Sequence, residues 1–350
     1  MRLLLITNDY PPKPGGIQQY LGNVIGVYPD EWHVIAPADS GAEFDERVSR
    51  HHSSFMWPTP QVGAWIQDRA AAFGPDVILF GAPHPLPYVG PALREQLGVP
   101  YGVLSHGAEV TLPAAAPVMR QAVAKALRDA DVRFAVSDFT AGRVERLTGK
   151  DVVFVGAGVD IDTFTPPPNG DNMIPVVGCV SRFVPRKGQH RLIEAASRLP
   201  FPVEVLLVGT GRTEGSLRRL ANKLGVLTRF AVDVPWSDLP DLYRQMDVFC
   251  MPCRSRWGGL EVEGLGLVFL EAAATGLPVL AGDSGGSPET VIPGETGFVV
   301  HSTNDIVQGL EMLLGDPDGA RVMGRAGRRY VEDVFTWPRV VERFRAGFNR

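Results

Sequence analysis

Short apolar runs alternate with longer stretches of helical spacing along the whole chain. Leu3–Thr7, Val77–Phe80, Tyr101–Leu104, Arg133–Val136 and Val152–Val155 read as strands. Between them lie segments with apolar residues three and four apart, such as Val118–Leu127 and Phe139–Leu147. Ser137-Asp138 supplies an N-cap for the second of these, because a short oxygen-bearing side chain can accept from the first free N–H groups of a helix. At Pro166-Pro167-Pro168-Asn169-Gly170-Asp171 neither period can continue, and 166–174 reads as a linker. The alternation then restarts. Val176–Val180, Val203–Val208, Val248–Met251, Val279–Ala281 and Phe298–Val300 are strand candidates, with helices at His190–Arg198 and Glu214–Leu224. Helical segments at 303–314, about 318–334 and 338–348 close the chain.

Strand–helix alternation on both sides of one linker predicts an α/β protein of two Rossmann-like parallel-sheet domains facing a cleft, at 1–165 and 175–336. The last helix, 337–350, is expected to pack back on the first domain. Ligands of such sheets bind beyond the carboxyl ends of the strands, so the loops that follow strands are where chemistry is sought.

Composition narrows the classes. The chain has 350 residues, 45% hydrophobic and 21% charged, with a net charge of −5. That is a globular balance, and it excludes a protein whose main work is gripping nucleic acid. Residues 1–165 carry 13 Lys+Arg against 18 Asp+Glu, so no large basic face for a membrane is evident there. The stretch around 61–73 lacks a basic cluster, and Arg120, Lys125 and Arg128 read either as a substitute for one or as a solvated helix face. No run of about 18 apolar residues exists. With three cysteines and no signal-peptide pattern, the expected compartment is the cytoplasm. Cys250-Met251-Pro252-Cys253 has no second pair to complete a zinc site, and with Cys179 it reads as core.

Three strand-following loops carry candidate chemistry. The first, Asn8 to Ile17, is stiffened by Pro11-Pro12 and opens at Gly15-Gly16 before a helix. The second, Ser181-Arg182-Phe183-Val184-Pro185-Arg186-Lys187-Gly188, sets three cations in a short loop suited to a diphosphate. The third runs from Gly258-Gly259 through Glu263-Gly264-Leu265-Gly266 into a helix bearing Leu267, Val268 and Glu271. Its N–H groups can cradle a phosphate, and two carboxylates eight residues apart can both face one pocket and accept from sugar hydroxyls.

Together, Arg182…Lys187, Glu263-x7-Glu271 and Pro11-Pro12…Gly15-Gly16 resemble the retaining GT-B glycosyltransferases of family four, over nearly the whole chain. Val184–Gln189, Gly258–Gly266 and Ser284–Thr290 look most like the actinobacterial GDP-mannose-dependent phosphatidylinositol (monomannoside) mannosyltransferases. The resemblance implies an acceptor-side first domain and a nucleotide-sugar donor domain second. Arg182 and Lys187 would hold the diphosphate, and Glu271 the ribose. Glu263 would bind hydroxyls of the transferred sugar, with backbone groups of Gly264, Leu265, Gly266 and Leu267. The N–H groups of Leu267 and Val268 would meet the distal phosphate, and Gly16 would close on the donor from the first domain. His106, in Ser105-His106-Gly107-Ala108-Glu109, matches the histidine beside the reacting sugar. Catalysis would fall to Arg182, Lys187, His106 and Glu263.

Two features depart from the family pattern or compete with it. Where members often carry glycine near the base edge, this chain has Val232-Asp233-Val234, and an Asp there would suit the N1–H and N2–H donors of guanine. Asp160-Ile161-Asp162 mimics a metal-binding DxD but falls at the domain junction, so no metal and no cofactor are expected. The implied substrates are GDP-mannose and a phosphatidylinositol mannoside-type lipid, with peripheral contact at the inner membrane face. The alternatives are a UDP- or GDP-sugar with a soluble acceptor, and a sugar-nucleotide epimerase on the same fold.

Overall fold

The computed structural model describes residues 1–111, 116–167 and 172–350. The chain divides into two compact units, Met1–Gly158 with Trp337–Arg350, and Val159–Thr336.

The first unit holds a seven-stranded parallel sheet: β1 Leu3–Ile6, β2 Trp32–Pro37, β3 Val48–His51, β4 Val77–Phe80, β5 Tyr101–Ser105, β6 Val132–Ala135 and β7 Val153–Phe154. The strand order is β3-β2-β1-β4-β5-β6-β7. β1 and β4 pair in register from Leu3↔Val77 to Ile6↔Phe80 and are buried throughout. Such apolar runs are what a parallel strand covered on both faces requires. The order reverses between β1 and β4, so the loops after these two strands border the crevice where a ligand of this fold sits. The helix Trp337–Phe348 belongs to this unit. Phe344 and Phe348 lie edge-on against Phe134 of β6, with ring centroids 4.8 and 5.2 Å away.

The second unit repeats the design with six parallel strands: β8 Val176–Val180, β9 Glu204–Val208, β10 Thr228–Ala231, β11 Val248–Met251, β12 Val279–Gly282 and β13 Gly297–Val300. Their order, β10-β9-β8-β11-β12-β13, reverses between β8 and β11. The loop after β8 is the three-cation loop and the loop after β11 is the glycine-rich one, so topology brings the two to one crevice.

Residues expected to close the first domain, 159–165, group with the second unit. Phe164 is buried beside Tyr243, with rings 5.5 Å apart, and Arg328 donates to the carbonyls of Ile161 and Phe164, so the segment folds with the second unit. Of the expected linker, 168–171 lie outside the described residues. β2, β3 and β10 were not anticipated. β3 and β10 are sheet edges, half-exposed and polar (Val-Ser-Arg-His and Thr-Arg-Phe-Ala), and an edge strand lacks the two covered faces that write an apolar run.

Candidate active site

Lys187 ends a short turn, Pro185–Lys187, that follows β8. Its ammonium is buried, 2.9 Å from Glu263 Oε2. Arg186 donates to the same carboxylate oxygen through Nη1 and also approaches Glu261 Oε1 at 3.8 Å. Glu261 in turn pairs with Arg256 at 3.3 Å. Burial alone would push the Glu263 carboxyl up. The charges and hydrogen bonds of Lys187 and Arg186 outweigh it and hold the group down at about 2, so it is an anion at neutral pH.

The loop after β12 fixes the Glu263 backbone. Ser284 Oγ accepts from Glu263 N–H at 3.1 Å, and Gly286 N–H donates to the Glu263 carbonyl at 3.1 Å. Gly285 has φ +60°, and an added Cβ would collide with that carbonyl, so this turn needs glycine. Gly264-Leu265-Gly266 then leads into the helix Leu267–Ala274. Gly266 sits at its N-cap with φ +96° and no side-chain cap. The N–H groups of Leu267 and Val268 find no acceptor among the described residues. A helix start with unclaimed donors is an anion site in waiting.

Glu271 lies on that helix and is buried. Tyr243 Oη donates to its Oε2 at 2.8 Å. Burial raises the carboxyl to about 7, and the tyrosine hydrogen bond opposes part of the rise. Burial keeps the Tyr243 hydroxyl protonated, so the direction of donation is set. Arg182 is exposed, and its guanidinium meets no partner among the described residues. Val234 is half-buried in the loop after β10. Next to it Asp233 takes φ +52°, a left-handed conformation that Asp tolerates better than most residues. The chain thus keeps a glycine-like backbone there while adding a carboxylate.

In the first unit, His106 follows β5. Its Nε2 lies 3.0 Å from the Gly81 carbonyl, so Nε2 carries the proton and Nδ1 is left as acceptor. Desolvation lowers its pKa, opposed by Glu109, and the ring is neutral at pH 7. Tyr20 packs edge-on against it at 5.1 Å, and Glu109 accepts from the His106 and Gly107 N–H groups. Gly16 starts the helix Gly16–Gly26 and is exposed, with open space around it.

Of the sequence candidates, then, Lys187 and Glu263 are in direct contact. Glu271 is held separately, Arg182 stands free, and Gly16 and His106 belong to the other unit. Reading the sequence passed over Arg186, Tyr243 and Ser284. Arg186 was in view as one of three cations and Ser284 lay inside a quoted motif, whereas nothing local marks Tyr243. Asp160 accepts from the N–H groups of Asp162 and Thr163 at 3.0 and 3.1 Å and so shapes a turn. Among the described residues no three His, Cys, Asp or Glu side chains are grouped to hold a metal ion. The cysteines are free and buried, and burial lifts the Cys179 thiol to about 11 and Cys253 to about 12.

Paired Rossmann-like sheets, a buried cation–carboxylate cluster and an open helix start describe a transferase built around a phosphorylated donor. Comparison with known proteins gives the family. The model for group 1 glycosyl transferases matches residues 160–330, and that for glycosyltransferase family 4 matches 14–163. A GDP-mannose-dependent alpha-(1-6)-phosphatidylinositol monomannoside mannosyltransferase of Mycolicibacterium smegmatis is 40% identical, over 96% of this chain and 95% of its own. Its counterpart for monoacylated acceptor in Corynebacterium glutamicum is 36% identical, over 98% and 96%. The crystal structure of Anabaena HepE with UDP superposes with a TM-score of 0.80 at 20% identity, over 99% of both chains. The chain belongs to the family 4, group 1 glycosyltransferases and has their GT-B fold.

Proposed function

We propose that this glycosyltransferase moves mannose from GDP-mannose to a phosphatidylinositol mannoside-type lipid, with retention at the anomeric carbon. The observation that carries the donor side is the contact of Lys187 and Arg186 with Glu263 beside the unclaimed N–H groups of Leu267 and Val268. The mannosyl and lipid assignments draw on the relatives, whose similarity runs the length of both chains.

Departure of the nucleotide builds negative charge on the distal phosphate. Lys187, Arg182 and the helix start would stabilise that charge in a site whose dipoles are already oriented. Glu263, kept ionised, would accept from hydroxyls of the mannose, supported by the backbone at Gly264 to Leu267. Glu271 would accept from the ribose diol, and Val234 would meet the base edge. In the first unit, Gly16 is assigned to approach of the donor, and His106, as a neutral imidazole, would offer Nδ1 as acceptor to a sugar hydroxyl. The acceptor hydroxyl would attack on the face the diphosphate leaves, passing its proton to a phosphate oxygen, so no carboxylate nucleophile is required. No metal or cofactor takes part in this scheme. No described helix is long and apolar enough to cross a membrane. We assign access to the lipid acceptor to peripheral contact with the cytoplasmic membrane face.

Calorimetric titration with GDP, GDP-mannose, UDP and UDP-glucose tests the reading. Tight binding of the guanine pair alone is expected. Tight binding of the uracil pair instead would sink the mannosyl assignment and leave the glycosyltransferase in place.

A further inference from the structure

In the first unit, two loops without charge meet at the carboxyl edge of the sheet. Residues 51–67, after β3, and 77–93, spanning β4 and its loop, contain no Asp, Glu, Lys or Arg. From the first loop project Phe55 and Trp57, 38% and 57% exposed, with ring centroids 5.0 Å apart. Trp57 is among the more exposed large apolar side chains of the described residues, and it lies at the strand ends where ligands of such sheets bind.

The backbone beneath these rings is pinned. Met56, between them, is fully buried. Its N–H donates to Asn8 Oδ1 at 2.8 Å, and Asn8 Nδ2 donates back to its carbonyl at 3.1 Å. Asn8 is itself buried and opens the loop after β1 that leads to Gly16. Thr59 N–H donates to the Trp57 carbonyl at 2.7 Å, and Thr59 caps the next helix. Trp57 stands edge-on to His84 of the second loop at 6.3 Å, and His84 Nδ1 lies 3.1 Å from Tyr88 Oη. The result is an exposed Trp57 ring, with Phe55 tilted 53° to it on one side and His84 on the other.

We propose that Trp57, flanked by Phe55, forms a stacking platform for a pyranose or cyclitol ring of the acceptor, with His84 and Tyr88 meeting hydroxyls at the ring's edge. This rests on the reading that the acceptor carries sugar. A neutral polyol offers C–H bonds on its faces and hydroxyls at its rim, which matches an uncharged aromatic surface with polar neighbours. A loop built to dock on an anionic bilayer gathers Lys and Arg around its aromatics, and residues 51–67 hold none.

The test compares wild type with Trp57→Ala and Trp57→Phe. Transfer from GDP-mannose is measured to a water-soluble, deacylated mannosyl-phosphoinositol, and to the acylated form in phosphatidylcholine vesicles, with GDP affinity as the control for folding. Trp57→Ala is expected to raise KM for the soluble acceptor about tenfold at unchanged GDP affinity, with Trp57→Phe recovering most of it. An unchanged KM for the soluble acceptor overturns the platform. If vesicle binding alone drops, the loop is a membrane contact instead. If wild type transfers to neither acceptor, the mannosyl-lipid reading fails, and the platform is read by saturation-transfer NMR with methyl α-mannoside and myo-inositol. Loss of signal in Trp57→Ala then supports it, and a signal equal to wild type overturns it.

Discussion

The two units carry different side chains at the strand ends of similar parallel sheets. In the second unit the loops at the strand ends hold ions. Lys187 and Arg186 both pair with Glu263, Arg186 also approaches Glu261, and Ser284 holds the Glu263 backbone in place. In the first unit the loop after β1 carries the more exposed pair Lys13–Asp9, and Glu109 accepts from the His106 N–H, while the neutral side chains of Asn8 and His106 are bonded to the backbone of Met56 and Gly81 and Phe55 and Trp57 are left partly exposed. A cation removed from water is costly without a partner, so on the donor-site reading proposed above Lys187 keeps a counter-charge beside it when no donor is bound. On the same reading, neutral groups for a polyol need no such counter-charge.

The sharpest way to break this contrast is Lys187→Ala. If the second unit stabilises leaving-group charge, kcat at saturating GDP-mannose falls by about two to three orders of magnitude, as single-turnover transfer would show. Loss of donor affinity at unchanged kcat would reduce Lys187 to a binding residue.

A smaller effect concerns Glu271. Its carboxyl, raised to about 7 by burial, is protonated below that pH and ionised above it. Ribose hydroxyls donate to the ionised form, so GDP affinity should rise about tenfold between pH 6 and pH 8. Glu271→Gln should flatten this dependence. Tyr243→Phe removes a donor that favours the charged form, so the midpoint should move to higher pH. Calorimetry of GDP binding across the range reads both, and a flat wild-type profile would remove Glu271 from the ribose.

The smallest effect belongs to the first unit. An added Cβ at Gly16 meets nothing within 4 Å, at the start of a helix. Gly16→Ala should leave Tm unchanged or slightly higher, since alanine is favoured over glycine in a helix by up to ~1 kcal/mol. Any fall in kcat/KM would then report approach of the donor, whereas a fall in Tm would assign Gly16 to folding.

Much of this was legible along the chain. The central strands β1, β4, β8, β11 and β12 are apolar throughout because both faces of a parallel sheet are covered, and that requirement writes itself into consecutive residues. The loops that matter could be found because they follow those strands, and Lys187 and Glu263 in them, with Glu271 on the helix beyond, carry ionisable groups among small and apolar neighbours. Three-dimensional pairing was not legible. Arg186, rather than Arg182, meets Glu263 across 77 positions of sequence, and Tyr243 reaches Glu271 across 28. The boundary at Gly158 depends on Phe164 finding Tyr243, and the rings of Phe55 and Trp57 are held outward by Asn8, 48 residues before Met56. Periodicity, turn residues and charge are local properties, so the sequence by itself determined the alternating α/β plan and the family's charged positions. Which cation neutralises which carboxylate, and which aromatics remain exposed, depends on strand order and packing, and only the tertiary structure decided them.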